Sequence, residues 1–550
     1  MLQMAVSRRR REPIIIFLAV IAIGLAVAFY LYFAVDKYSL LYYWDAVSHL
    51  VASRKLADWG ENPGLGQIGT VWMPLPHFLL FPFAMVDPLF TTGYAGLALS
   101  LPCLALTSVF LYKIVKVLKI PGTAVIVPSF AAISGALLYA TNPNILYLGL
   151  TSMTEAPFML FFVASAYYFQ MWYQNGNRLR NLILCSVFLS FATLCKYEGW
   201  FLPIFLVIVA GVFAIKKQKD VDKEDPEEHD DQKKKAVLVL LASIISLSSI
   251  VFWLTWNQYH YGNAFEFSDA QYYSASWYAQ HRPIREFLFL QPMNVLSVYG
   301  VTALAMYGPV LLGAGAAGYY FFRKASIDGK KIMLLFLALP PLFTLISLLV
   351  GIGEMSYWFN SRFLILLSPV VIVMACIFLA KIYNSRMAKK RDENGNVDNK
   401  RRTLVVVATV GALFASQLSV LAFSTVVTMD DAKGGYFVKE NQLAIKTGEA
   451  LKSLYDGNGN IMILTGSGLE QRVMITSGIA LRNFDEIIEP STWKTSFKEP
   501  WSYDRWIVIT THPGSDAINT TNYWLGRQDD LATYYNTVYK NEYYRIMVLK

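Results

Sequence analysis

Residues 13–35 read PIIIFLAVIAIGLAVAFYLYFAV, with SRRRRE ahead of them at 7–12 and an acid, Asp36, directly behind. A bilayer core of about 30 Å takes roughly 20 apolar residues of helix, so this run is long enough to cross it. It is too long for the apolar part of a cleaved signal peptide and reads as an uncleaved first helix. The four arginines favour a cytoplasmic N-terminus, because clustered basic residues stay on that side of a membrane.

The rest of the chain repeats the pattern. Of 550 residues 55% are hydrophobic and only 16% charged, against about 25% charged in soluble domains, and the mean hydropathy is +0.39. Apolar runs near 93–115, 124–142, 153–174, 182–197, 199–215, 236–256, 293–321, 332–350, 363–383 and 403–427 bring the expected spans to about eleven. Basic residues collect in alternate loops: KIVKVLK at 113–119, RLR at 178–180, the mixed-charge run 216–235, RKASIDGKK at 323–331, and 381–402. The opposite loops hold isolated charges such as Lys37, Arg54, Lys55, Arg282, Arg285 and Arg362. This asymmetry sets one orientation. It accounts for the net charge of +9 better than a nucleic-acid partner does. The run 216–235 lacks the ligand spacing of an EF-hand and reads as a solvated cytoplasmic linker. Cys103, Cys185, Cys195 and Cys376 sit in or near apolar runs, which suits small packed residues and indicates neither disulfides nor a zinc site.

The chain is therefore expected to be a polytopic α-helical membrane protein over residues 1–430, followed by an extracytoplasmic α/β domain over 431–550. In the second part NIMILTG (460–466), RWIVITT (505–511) and YYRIMVLK (543–550) read as strands. NQLAIKTGEALKSLY (441–455) has helical periodicity, with Gly457 and Gly459 as its stop. The odd span count puts this domain on the outer side, and the sequon Asn519-Thr520-Thr521 is compatible with that. GSGLEQR at 466–472 lacks a P-loop lysine and reads as an ordinary strand-to-helix turn.

The first outer loop, 36–83, is long for a connector, and such loops commonly carry function. DAVSHLVASRKLADWG at 45–60 predicts a helix on the membrane surface. ENPGLGQIGTVWMPLPHFLLFPF at 61–83, dense in Gly and Pro, predicts ordered but irregular chain. Asp45 and His49, four residues apart, share one face of such a helix. Spacing leaves four readings open: an N-cap with an interfacial histidine, half of a metal site, part of a transporter's proton relay, or a catalytic base beside a substrate-facing histidine.

Six blocks in order resemble the GT-C glycosyltransferases, in the branch of protein O-mannosyltransferases and lipid A aminoarabinose transferases. They are DAVSHLVASRKLAD (45–58), PGLGQIGTVWMPLPHFLLFPF (63–83), TSMTEAPFMLFF (151–162), LCKYEGWFLP (194–203), WNQYHYGNAFEFSDAQYYSA (256–275) and WFNSRFLILLSP (358–369). The resemblance implies that a sugar, mannose or a similar hexose, moves with inversion from a polyprenyl- or dolichyl-phosphate carrier. The receiver is an acceptor hydroxyl on the outer face, whether of a protein, lipid or glycan. No nucleotide-binding loop is needed, because the lipid-linked sugar is already activated, and none is present.

The same resemblance makes Asp45 the catalytic acid of the first outer loop. Protein O-mannosyltransferases carry an Asp-Glu pair there, whereas Ala46 follows Asp45 here. The second carboxylate would then come from elsewhere or be dispensable. Glu155 is the candidate, against the alternative of a helix N-terminal acid favoured by the macrodipole. Lys196 and Arg362 are placed to hold the carrier phosphate, against a simple Lys196–Glu198 pair and an interfacial anchor. His49, His77 and Glu198 complete the candidate substrate- and phosphate-binding set, with a bond to a loop carbonyl as the alternative for His77. His281, Arg282 and Arg285 are weaker candidates, and Tyr272, Tyr273, Trp277 and Tyr278 suit either sugar stacking or the membrane interface. Beyond the lipid-linked donor no cofactor follows, and a divalent metal is left open. The competing reading is a transporter or flippase for lipid-linked sugars. It wants acids near the bilayer midplane, whereas the charges here gather at the outer interface. An oligosaccharyltransferase ranks below both, since the WWDxG signature is missing.

Overall fold

The run 13–35 is helical in the computed structural model, within a helix Leu2–Tyr30 that ends in one π-turn, Leu31–Val35. The structure describes residues 2–60, 62–118, 129–174, 179–219, 226–270, 274, 277, 280–281, 284–324, 330–352, 361–384, 399–423, 439–464, 468–487, 495–511 and 520–550. A described helix lies in each expected span, but they differ in length. Among the described residues five are long and apolar enough to cross a membrane: Arg11–Val35, Tyr94–Val117, Ala236–Tyr261, Lys331–Leu349 and Arg362–Tyr383. Ser129–Ala140, Leu179–Thr193, Tyr197–Val212 and Thr403–Ser419 are apolar but shorter, and Glu155–Gln174 has 20 residues.

Two expectations change. The span expected at 293–321 is broken into Pro292–Tyr307 and Pro309–Lys324, bent by 109°. Gly308 has φ 71°, and a Cβ there would lie 2.6 Å from the Ser416 carbonyl oxygen. Pro309 then opens the next helix, where its missing N–H costs nothing. The mixed-charge run expected as a linker is helical up to Lys219 and again from Pro226, with 220–225 outside the described residues.

The loop 36–83 is more regular than its composition suggests. Trp44–Lys55 is a helix, termed the loop helix below, and Pro74–Ala84 is helical where irregular chain was expected. Pro74 stands at the start of that second helix, a position proline favours. The loop helix is largely enclosed by the rest of the chain: all of it except Trp44, Asp45 and Ser48 is buried. Its Val47, Leu50 and Val51 share one core with Leu80, Val473 and Ile475. The C-terminal part of the chain thus covers the loop helix, which is why both its faces are apolar or paired.

That covering part holds a five-stranded sheet: β1 (Asn460–Leu464), β2 (Phe484–Ile487), β3 (Asp504–Thr510), β4 (Tyr535–Lys540) and β5 (Tyr544–Leu549). The order is β2-β1-β3-β5-β4, parallel at β2-β1-β3 and antiparallel at β3-β5-β4. Strands β1, β3 and β5 and the helix Lys439–Leu454 meet the sequence expectation, while β2 and β4 add to it. Alternation along β1 splits its side chains between two cores. Ile461 and Ile463 face the core of the loop helix, and Met462 joins Ile507, Phe497 and Trp524 on the other face. The helix Gly468–Ser477 follows β1, as the turn reading of 466–472 expects, although 465–467 and Asn519 of the sequon lie outside the described residues. All four cysteines are buried and free.

Candidate active site

The N-cap of the loop helix is Tyr43, so Asp45 sits in the first turn rather than at the cap. Its carboxylate is instead ion-paired through Oδ2 to Nη1 of Arg362. Arg362 comes from the short 3-10 segment Ser361–Leu367 that leads into the helix Ser368–Tyr383. Its guanidinium lies 4.9 Å from the ring centre of Phe363 and 6.0 Å from that of Tyr43.

Glu155 is the first residue of its helix and is buried, 2% exposed. Its Oε1 accepts from Lys196 Nζ at 2.8 Å, and the same ammonium lies 3.6 Å from Glu198 Oε1. Lys196 also stands 5.1 Å over the Phe363 ring, so one aromatic face serves both cations. The segment before Glu155 is fixed by close backbone approach. A Cβ at Gly96 would fall 2.2 Å from the Ser152 nitrogen, so only glycine fits there. Ser100 Oγ donates to the Thr151 carbonyl at 2.6 Å, and Ser152 Oγ donates to the Ala46 carbonyl at 2.6 Å. The second bond joins the Glu155 segment to the first turn of the loop helix.

One turn beyond Asp45, His49 Nδ1 lies 3.0 Å from His77 Nε2, and His77 Nδ1 lies 3.0 Å from the Met73 carbonyl oxygen. The Trp72 ring packs on His49 with centres 4.2 Å apart. Burial drives His49 down to about 3 and His77 well below its usual range, so both imidazoles are neutral at physiological pH. A carbonyl only accepts, so His77 Nδ1 carries its proton and Nε2 is bare. His49 Nδ1 therefore donates to it, and His49 Nε2 is left unprotonated. Glu155, Arg362 and Lys196 all lie within electrostatic reach of His49.

The structure thus brings Asp45, His49, Glu155, Lys196, Glu198 and Arg362 into one cluster, drawn from four separated parts of the chain. His77 bonds the loop carbonyl and also supports His49. Sequence reasoning missed Phe363, Tyr43 and Trp72, whose rings wall the cluster. The pattern of an aromatic directly beside Arg362 was the available signal. Trp277 stacks on His281 with centres 4.2 Å apart, and Arg285 lies 4.9 Å over Phe289, so these side chains are engaged within their own segment. Tyr272, Tyr273, Tyr278 and Arg282 lie outside the described residues. Among the described residues no three His, Cys, Asp or Glu side chains are grouped to hold a metal ion.

The described helical body with its small C-terminal sheet region has a fold similar to that of solved GT-C glycosyltransferases. It is similar to the archaeal oligosaccharyltransferase AglB from Archaeoglobus fulgidus, solved with an inhibitory peptide and a dolichol-phosphate. That match has a TM-score of 0.50 and 12% identity, over 95% of this chain and 72% of that one. It is also similar to apo ArnT from Cupriavidus metallidurans, with a TM-score of 0.51 and 13% identity over 96% of this chain and 97% of that one. The family model for dolichyl-phosphate-mannose-protein mannosyltransferase matches residues 89–224, a segment that holds Glu155, Lys196 and Glu198 but neither Asp45 nor Arg362. No curated protein matches the chain in sequence.

Proposed function

We propose that the protein is an inverting glycosyltransferase that moves a hexose, such as mannose, from a polyprenyl- or dolichyl-phosphate carrier to an acceptor hydroxyl on the outer membrane face. The observation that carries this reading is the meeting of the Asp45–Arg362 pair with the Glu155–Lys196–Glu198 group. Buried charges at a membrane interface are costly and are retained for a ligand or a partner. In this reading Asp45 takes the proton of the acceptor hydroxyl, whose oxygen bonds to the anomeric carbon from the side opposite the phosphate. The bond from that carbon to the phosphate oxygen breaks, and its electrons remain on the carrier phosphate. Arg362 and Lys196 stabilise that charge. Arg362 is then shared between orienting Asp45 and gripping phosphate. The mannosyltransferase family match and the dolichol-phosphate in the AglB structure support a lipid-phosphate donor.

The reading also takes the N-terminus as cytoplasmic and residues 431–550 as an extracytoplasmic domain lying over the acceptor side. A transporter finds less support. Transport wants acids near the bilayer midplane, whereas Asp45, Glu155 and Glu198 meet Arg362 and Lys196 at the ends of their helices. The deciding experiment incubates the purified protein with polyprenyl-phosphate hexoses and candidate acceptors and identifies products by mass spectrometry. A glycosylated acceptor that disappears in Asp45→Asn is expected. Sugar movement across liposomes with no transfer product would overturn the assignment.

A further inference from the structure

Two hydrogen-bond acceptors in the cluster are left without a protein partner among the described residues. Glu155 Oε2 is buried and makes no hydrogen bond, while Oε1 is occupied by Lys196. His49 uses Nδ1 on His77, and the Met73 carbonyl at the far end of that chain forces Nε2 to be the bare nitrogen. A buried acceptor that lacks a donor is costly, so a ligand that donates to Glu155 Oε2 recovers that energy, and His49 Nε2 offers it a second acceptor. The two lie beside Lys196 and Arg362, which are donors only. The cluster thus separates into a cationic half suited to phosphate and an acceptor half suited to hydroxyl groups.

We propose that His49 Nε2 and Glu155 Oε2 form the subsite that receives hydroxyls of the transferred sugar, with His77 as the residue that holds His49 in its accepting tautomer. The inference rests on the lipid-phosphate reading given above. It makes sugar recognition separable from phosphate recognition, because different atoms of the cluster carry each. A divalent cation would also take two such acceptors, and the test distinguishes it.

The experiment measures binding of bare polyprenyl phosphate, mannosyl polyprenyl phosphate and glucosyl polyprenyl phosphate to the purified full-length protein by calorimetry, with and without EDTA. Wild-type protein binds at least one glycosylated carrier more tightly than the bare one, and EDTA changes nothing. His49→Phe, which keeps a ring against Trp72, removes about tenfold of that sugar-dependent gain, and Glu155→Gln removes roughly tenfold or more, the worth of one neutral and one charged hydrogen bond. The gain is read as the ratio of glycosylated to bare affinity within each variant, so a change in phosphate binding through Lys196 divides out, and a thermal midpoint near that of the wild type shows that each variant is folded. His77→Phe lowers only the sugar-dependent part. Equal weakening of bare and glycosylated carriers by His49→Phe overturns the subsite, as does a sugar-dependent gain abolished by EDTA, or no gain in wild type. Failure of the wild-type protein to bind any of the three carriers defeats the lipid-phosphate reading itself.

Discussion

The loop helix meets buried charge at both of its ends, and the two ends are finished differently. Near Lys55, Asp58 uses both carboxylate oxygens: Oδ2 accepts from Arg54 Nε at 2.8 Å and from the Leu481 amide at 3.2 Å, and Oδ1 from the Arg482 amide at 3.5 Å. Lys55 is ion-paired to Glu486 and stands 3.9 Å over the Trp59 ring. At the turn that leads into the helix, buried Arg472 donates to the Leu41 and Tyr42 carbonyls, each at 3.0 Å. Near Asp45 the same residue types converge, yet Glu155 Oε2 and His49 Nε2 find no protein donor among the described residues. Where partners are complete, buried charge clamps the C-terminal region to the loop. Where acceptors are left over, the same chemistry is set for a ligand.

The sharpest test of that contrast changes one carboxylate at each end. Asp45→Asn keeps the side-chain shape and a bond to Arg362 while removing the base. Transfer is expected to fall about 100- to 10,000-fold, the usual worth of a general base, with the thermal midpoint in detergent near that of the wild type. Unchanged transfer would remove Asp45 from the chemistry. Asp58→Ala should do the reverse. It takes away the buried partner of Arg54, which keeps only the exposed Asp87, and breaking a buried pair costs about 3–5 kcal/mol, read as a lower midpoint in a denaturant or thermal series. The fraction that stays folded should turn over normally. A normal midpoint with lost turnover would place Asp58 in the site and collapse the distinction.

Much of this organisation was legible in the sequence, for reasons that differ by element. The first helix announces itself by the length of its apolar run, and the strands β1, β3 and β5 and the helix Lys439–Leu454 by their local patterns. The residues of the site were legible as charges at the edges of apolar runs, where an unpaired charge is expensive. What sequence could not supply was contact. Nothing local says that Glu155 rather than Glu198 takes the shorter bond to Lys196, or that Arg362 crosses to Asp45. The break at Gly308-Pro309 was missed because the apolar run continues through it, and hydropathy does not register a change of direction. Helix Pro74–Ala84 was missed because three prolines mask it: its first turn tolerates Pro74 and Pro76, while Pro82 stands inside it near the C-terminal end. Strand β2 is only four residues long, too short for alternation to show.

Proton uptake extends the comparison at smaller energies. Burial holds His49 near 3 in the folded protein, while an unfolded histidine titrates near 6.5. The unfolded state therefore binds more protons between those values, so stability is full above about 6.5 and is lost as pH falls toward 3. The expected slope is at most about 1.4 kcal/mol per pH unit for this residue, measured as the midpoint between pH 6.5 and 5. His49→Phe should lessen that dependence and leave the part that belongs to His77, which burial also lowers. An unchanged slope would mean that His49 is charged in the folded protein, and the tautomer assignment would fail with it.

The smallest effect is expected at an ion pair that also joins loop to C-terminal region but lies in solvent. Lys37 Nζ bonds Glu449 Oε1 at 2.9 Å, with the two side chains 50% and 44% exposed. The Glu449 hydrogen bond lifts Lys37 to about 12, so the pair is present in full below the ordinary lysine value of about 10.4 and weakens only as pH rises through 12. Neutral pH therefore leaves it constant. Water screens it nonetheless, and Lys37→Ala should cost less than about 1 kcal/mol, a difference that shrinks further in high salt. A loss as large as that of Asp58→Ala would show that exposure does not separate the two contacts. The clamp between the C-terminal region and the loop would then have to include the rim as well as the buried face.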